Sequence, residues 1–211
     1  MSCPEASASV CVKICGLTSL ADAQAAVAAG ADALGFMFYP QSPRCTTPAA
    51  AREIIAQLPP LIVRVGVFVN PTPEEVRDAI ACGVDTLQFH GEEPLEFCRQ
   101  FSKPAIKALR LQDADSLQAC LLYRGLPWLL DSYVPGVRGG TGARFNWDLA
   151  VAARKENPCI ILAGGLTPAN VAEAVRQVRP FAVDVSSGVE LSPGRKDPAK
   201  MRAFVAAAKG A

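Results

Sequence analysis

Short apolar runs alternate with amphipathic stretches along nearly the whole chain. The runs at 10–15, 33–38, 63–69, 85–89, 104–108, 127–131, 159–163 and 182–186 predict strands. The intervening stretches near 19–29, 48–57, 73–82, 94–102, 115–121, 146–153, 168–178 and 197–209 predict helices. Helix starts carry their own punctuation. Thr47-Pro48, Thr72-Pro73 and Thr167-Pro168 put a capping hydroxyl before a proline, and Asp197-Pro198 is similar. Gly30 and Gly83 follow helices, where a left-handed cap is favoured.

Strand–helix alternation of this kind implies parallel strands. Eight such units predict an α/β fold: a single-domain (β/α)8 barrel of the TIM type with eight parallel strands. An open doubly wound sheet would want G-x-G-x-x-G after its first strand, and Cys15-Gly16-Leu17-Thr18 does not supply it. No linker rich in Pro, Gly or Ser divides the chain. The expected organisation is an N-terminal extension over 1–9, poorly ordered, and a barrel over 10–211.

Composition narrows the class of function. The chain has 211 residues, half of them hydrophobic, enough for one large core. Lys plus Arg number 21 against 20 for Asp plus Glu, a net charge of +1. With no basic stripe, nucleic acid is not an expected partner. With no long unbroken apolar stretch and no secretory signal, neither is a membrane. A cytoplasmic, enzyme-sized protein is expected, as a monomer or homodimer. Eight cysteines and one His occur without a C-x-x-C pair, so no metal site is expected and most cysteines read as small reduced core residues.

Cys15 is different because it ends the first predicted strand, directly before Gly16. In such barrels the C-terminal strand tips form the active rim. Asp131 ends the sixth strand, after Trp128-Leu129-Leu130, and on a rim an acid–base role competes with capping or ion pairing. A thiol and a carboxyl supply a base and an acid without metal or cofactor, provided the thiol pKa is modestly depressed. Lys13 shares Cys15's facing and could provide the cation. Gly164 and Gly165 after strand seven, and Ser187 and Gly188 after strand eight, stand where such barrels often hold phosphate. Gly140 and Gly142, in Gly139-Gly140-Thr141-Gly142, suit further anion donors or a lid equally. Arg44, in a loop stiffened by Pro40 and Pro43, reads either as a solvated cation or as a bidentate partner for a substrate carboxylate. His90 ends strand four and reads as a group that orients the substrate or its neighbours. Asp184, inside strand eight, needs a partner such as Lys13 if it faces the interior.

Together these residues carry a family resemblance. Val12-Lys13-Ile14-Cys15-Gly16-Leu17-Thr18 resembles the opening of phosphoribosylanthranilate isomerases. The likeness continues through Gly30 to Phe36, Ser42-Pro43-Arg44, Arg64 to Asn70, Leu87 to Glu93, Leu129-Leu130-Asp131, Gly139 to Gly142, Ala163 to Leu166 and Pro180 to Glu190. The resemblance implies an Amadori rearrangement in tryptophan biosynthesis, from N-(5-phosphoribosyl)anthranilate to 1-(2-carboxyphenylamino)-1-deoxyribulose 5-phosphate. It implies Cys15 as general base, Asp131 as general acid, Arg44 near the anthranilate carboxylate, a phosphosugar substrate and no cofactor. Ala163 stands where many members have Ser, and Ser132 where Thr is common. The histidine-pathway isomerases resemble the chain in fold but carry Asp at the first strand end, and Cys15 argues against them.

Overall fold

The computed structural model describes residues 9–131 and 147–211. The segments 1–8 and 132–146 lie outside the described residues, and with them all of the expected extension except Ser9, and the candidates Gly140 and Gly142. The barrel strands are β1 (Cys11–Cys15), β2 (Ala33–Met37), β3 (Val63–Phe68), β4 (Thr86–Phe89), β5 (Ala105–Arg110), β6 (Trp128–Asp131), β7 (Ile160–Ala163) and β8 (Ala182–Val185). The helices are α1 (Leu20–Ala28), α2 (Pro48–Ile55), α3 (Pro73–Ala81), α4 (Leu95–Arg99), α5 (Ala114–Cys120), α6 (Trp147–Glu156), α7 (Val171–Val178) and α8 (Pro198–Lys209). Each strand pairs in parallel with the next, and β1 pairs with β8 to close the barrel.

The period-2 alternation of each strand divides the core into layers. On β1, Val12 and Ile14 join the shell between strands and helices, with Leu34, Phe36, Trp128 and Leu130. Cys15 belongs instead to the barrel interior, beside Val65 and Val67. A second interior cluster gathers Ile106, Ala108, Leu129, Ile161, Ala163 and Ala182. The expected caps form: Thr47 accepts from the Ala50 N–H at 3.2 Å, Thr72 and Glu75 make a reciprocal capping box, and Asp197 accepts from Ala199 and Lys200. Gly30 and Gly83 are left-handed, at φ 89° and 108°.

Two regions differ from the sequence expectation. Helix α7 begins at Val171 rather than beside Thr167-Pro168, because the Asn170 side chain ties down the preceding turn. Its Oδ1 accepts from the Thr167 N–H at 2.7 Å and its Nδ2 donates to the Gly165 carbonyl at 3.0 Å. A small antiparallel hairpin, β9 (Glu190–Ser192) with β10 (Arg195–Lys196), follows β8 where no strand was expected. Six cysteines, Cys11, Cys15, Cys45, Cys82, Cys98 and Cys120, are free thiols. Cys159 departs from the reduced-cysteine expectation, being disulfide-bonded. Among the described residues no helix is long and apolar enough to cross a membrane.

Candidate active site

All eight described candidates, Cys15, Arg44, His90, Asp131, Gly164, Gly165, Ser187 and Gly188, line one cavity of about 240 Å³ at the C-terminal ends of the barrel strands. A larger cavity, of about 620 Å³, opens at the opposite end, around Cys11, Val63, Ala105 and Leu126. The charged side chains on its rim pair with one another or with neighbours, Arg124 with Glu156 and Asp32 with Lys209. The smaller cavity is the candidate site because an acid and a thiol meet there from separate strands.

Cys15 ends β1 and is almost wholly buried, at 6% exposure. Its seat depends on a missing side chain on the neighbouring strand. Gly35 pairs with Cys15, and a Cβ built on Gly35 would lie 2.8 Å from the Cys15 sulfur, inside contact distance. The thiol does not have the depressed pKa that the sequence led us to expect. Burial pushes it above the ordinary thiol value, and the nearby Lys13 ammonium offsets only part of that rise.

Asp131 ends β6, where register pairs it with Arg110 on β5 and Ala163 on β7. A polar chain reaches it from β4. The Gln88 amide nitrogen lies 3.2 Å from His90 Nδ1, and His90 Nε2 lies 3.3 Å from Asp131 Oδ2. With Gln88 donating to Nδ1, the Nε2 proton points at the carboxylate. The loop that carries His90 is fixed from behind. Buried Glu93 accepts from the N–H groups of Asn70, at 2.7 Å, and Gly91, at 3.0 and 3.1 Å. Buried Lys107 donates to Glu93 Oε2 and to the Gly91 carbonyl, each at 2.7 Å.

Two glycine-containing loops line another part of the cavity. Gly164 and Gly165 have φ of 78° and 64°, values that a side chain would strain. Ser187 to Val189 form a single 3-10 turn directly after β8, with Gly188 packed on the Leu166 carbonyl so that the two loops touch. Backbone N–H groups at such turns suit an anion.

Arg44 lies in the cavity wall but is not simply solvated. Its Nε and Nη2 donate to the two oxygens of Glu190 at 2.8 and 2.7 Å. Glu190 also accepts from buried Lys196 at 2.8 Å. Burial would raise the Glu190 pKa, but Arg44 and Lys196 outweigh it and hold the carboxyl below its usual value. Burial in turn pulls the Lys196 ammonium down. Sequence reasoning missed Glu190, Lys196 and Gln88. Glu190 and Lys196 sit on the unexpected hairpin, and a pairing that spans from the β2 loop to that hairpin leaves no local pattern to read. Asp184 was placed correctly: its Oδ1 accepts from Lys13 Nζ at 2.8 Å inside the barrel. Among the described residues no cluster of His, Cys, Asp and Glu is arranged to hold a metal ion.

Residues 12–207 match the family model described as N-(5'phosphoribosyl)anthranilate (PRA) isomerase. A relative from Geobacter sulfurreducens named N-(5'-phosphoribosyl)anthranilate isomerase is 56% identical over 200 residues, covering 94% of this chain and 98% of the relative. The crystal structure of phosphoribosyl anthranilate isomerase from Thermotoga maritima superposes with a TM-score of 0.91 at 46% identity, covering 96% of this chain and 100% of that one. A structure of such an isomerase in complex with reduced 1-(o-carboxyphenylamino)-1-deoxyribulose 5-phosphate superposes with a TM-score of 0.87 at 44% identity, over 96% of this chain and all of that one.

Proposed function

The chain belongs to the N-(5'-phosphoribosyl)anthranilate isomerase family, and we propose that its rim cavity performs that family's aldose–ketose isomerisation, with Asp131 as general acid and Cys15 as general base. The observation that carries the reading is the convergence of both groups on one cavity. The thiol comes from β1 and the carboxyl from β6. The reaction is an Amadori rearrangement of N-(5-phosphoribosyl)anthranilate within tryptophan biosynthesis.

Asp131 protonates the furanose ring oxygen, the C1–O bond breaks, and C1 becomes an iminium carbon. Cys15, as thiolate, takes the proton from C2, and the C2–H electron pair moves to form the enolamine. Tautomerisation of the enolamine gives the aminoketose. The iminium is the electron sink, so the substrate itself provides what a cofactor would otherwise supply. Its positive charge also favours the thiolate beside it. That coupling matters because burial holds the Cys15 thiol above its ordinary pKa in the resting protein.

The remaining groups bind and orient. The loops with Gly164, Gly165, Ser187 and Gly188 take the phosphate, with Gly140 and Gly142 as further donors. The guanidinium edge of Arg44 that Glu190 leaves open takes the anthranilate carboxylate. His90 orients Asp131. Anchoring the phosphate and the carboxylate at opposite ends supplies the positioning that a small acid–base pair needs. We place the enzyme in the cytoplasm, as a monomer or homodimer whose catalytic unit is residues 10–211, with 1–9 as an extension. The test is a fluorescence assay following loss of N-(5-phosphoribosyl)anthranilate on purified protein. Substrate loss with formation of the aminoketose is expected; a protein that binds the substrate without consuming it overturns the reading.

A further inference from the structure

The barrel interior next to Cys15 holds a pair of charges to which the reaction above gives no task. Lys13 and Asp184 are register partners on β1 and β8. Lys13 Nζ donates to Asp184 Oδ1 at 2.8 Å, and the two side chains are only 4% and 10% exposed. Lys13 lies two residues before Cys15 on the same face of β1, and the Asp184 carboxyl shares the cavity wall with the sulfur. Taking two charges out of water costs several kcal/mol per ion, and well-packed apolar residues in their place are often as stable or more so. The neighbouring strand fills the interior with Val65 and Val67. A purely architectural role therefore gives no reason for charge at this layer.

We propose that Lys13 and Asp184 are positioning residues that set the protonation state of Cys15, Lys13 stabilising the thiolate by charge and Asp184 fixing the ammonium and limiting its pull. The proposal rests on Cys15 being the base, and it names the residues that adjust it. Among the described residues the other charged or titratable groups that face the sulfur are few. Lys196, on β10, and Arg44, in the loop after β2, both reach it electrostatically, but both share the Glu190 carboxylate. Asp131 and His90 stand on the same cavity wall and bond to each other. Lys13 is thus the cation on the sulfur's own strand, and its counter-ion is Asp184 alone among the described residues. Burial would discharge Lys13, yet the neighbouring carboxylate and thiol outweigh burial and keep it an ammonium. Lys13 lowers the thiol's pKa and Asp184 raises it, which fixes opposite signs for the two substitutions.

The experiment titrates Cys15 directly by ultraviolet thiolate absorbance. Each protein is read against the same protein carrying Cys15→Ala, so the other cysteines cancel. The variants are Asp184→Asn and the double variant Lys13→Met with Asp184→Asn; comparing these two never strands a buried carboxylate. Asp184→Asn, in which the ammonium is held by the ionising thiol alone, is expected to lower the Cys15 midpoint relative to wild type. The double variant is expected to stand at least one pH unit, tenfold in the ionisation constant, above Asp184→Asn. A common midpoint in wild type and Asp184→Asn, or in the two variants, overturns the proposal. If the double variant fails to fold by circular dichroism, the direction of the Asp184→Asn shift decides alone. Turnover separates this from the base assignment. The acidic limb of kcat/KM should follow the same order as the midpoints, whereas a merely structural pair would cut turnover without moving either. Midpoints in the expected order together with undiminished turnover by Cys15→Ala would remove Cys15 as base and leave the charge device standing.

Discussion

In the proposed mechanism one sulfur and one carboxyl carry the chemistry. Removing the sulfur, as Cys15→Ala, is expected to lower kcat by roughly 10²- to 10⁴-fold. Asp131→Asn is expected to do the same, with retained binding of inorganic phosphate and a native circular dichroism spectrum as controls. Near-wild-type turnover in either variant would take that residue out of the mechanism. The sign of the pH dependence follows from the environment of the thiol. Its pKa is held above the ordinary value, so the fraction ionised, and with it the base-dependent limb of kcat/KM, should keep rising with pH beyond the usual thiol range. A limb that levels off below neutrality contradicts the burial argument. Arg44→Ala should raise KM more than it lowers kcat, as expected for a group that binds ground and transition states alike; an unchanged kcat/KM would dismiss a role at the carboxylate. The placing of Cys15, Asp131, Gly164, Gly165 and Gly188 around one cavity was legible in the sequence because position at a strand tip is a local property. The occupation of Arg44 by Glu190 was not, because it joins residues 146 positions apart.

At the level of elements, buried ion pairs tie down the loops that line the cavity. The loop after β4 carries His90, and the buried Glu93–Lys107 pair clamps that loop. Glu93→Ala strands Lys107, which is 1% exposed, and should cost roughly 3–5 kcal/mol in urea unfolding. The same variant should lose turnover beyond the loss of folded protein, since His90 would no longer be held on Asp131. The hairpin β9–β10 has a parallel task, carrying Glu190 and Lys196 to Arg44. The Glu190 carboxyl has a lowered folded pKa, so its stabilising contribution is present above the ordinary carboxylate value and is lost as pH falls through the lowered one. Acid unfolding followed by circular dichroism should therefore come at higher pH once Glu190→Gln removes that contribution; an unchanged midpoint would contradict it. The eight strands and helices were readable from apolar periodicity and caps. The hairpin was not, because Glu190 to Lys196 contains Pro193 and Gly194 and no apolar alternation. The start of α7 was missed because Thr167-Pro168 mimics a cap that Asn170 overrides.

For the whole molecule, closure is the governing fact. The last strand of the barrel lies against the first, and α8 covers that seam with Met201 and Phe204 fully buried. Truncation after Val178 removes β8 and α8, opens the edges of β1 and β7, and takes away Asp184 together with the turn at Ser187 to Val189. Such a fragment is expected to aggregate rather than persist as a partial barrel, read by size exclusion and circular dichroism. A soluble fragment with the full helical signal would show that the closed ring is dispensable. Alternation of eight units made this closure legible in the sequence, since an open sheet would have needed a different first turn.

The bare backbone at Gly35 has a consequence for how such a protein can diverge. Every substitution there adds at least one carbon against the sulfur across the strand, so the position has no neutral neighbours to wander through. Descendants that kept the thiol would have to keep the glycine, and exchanging the thiol for another base would not by itself free the space, because the Cα and Cβ of residue 15 stand 3.0 and 3.2 Å from the same added carbon. The glycine is therefore expected to outlast changes at the neighbouring strand tip: whichever base stands there, the backbone across from it must stay bare.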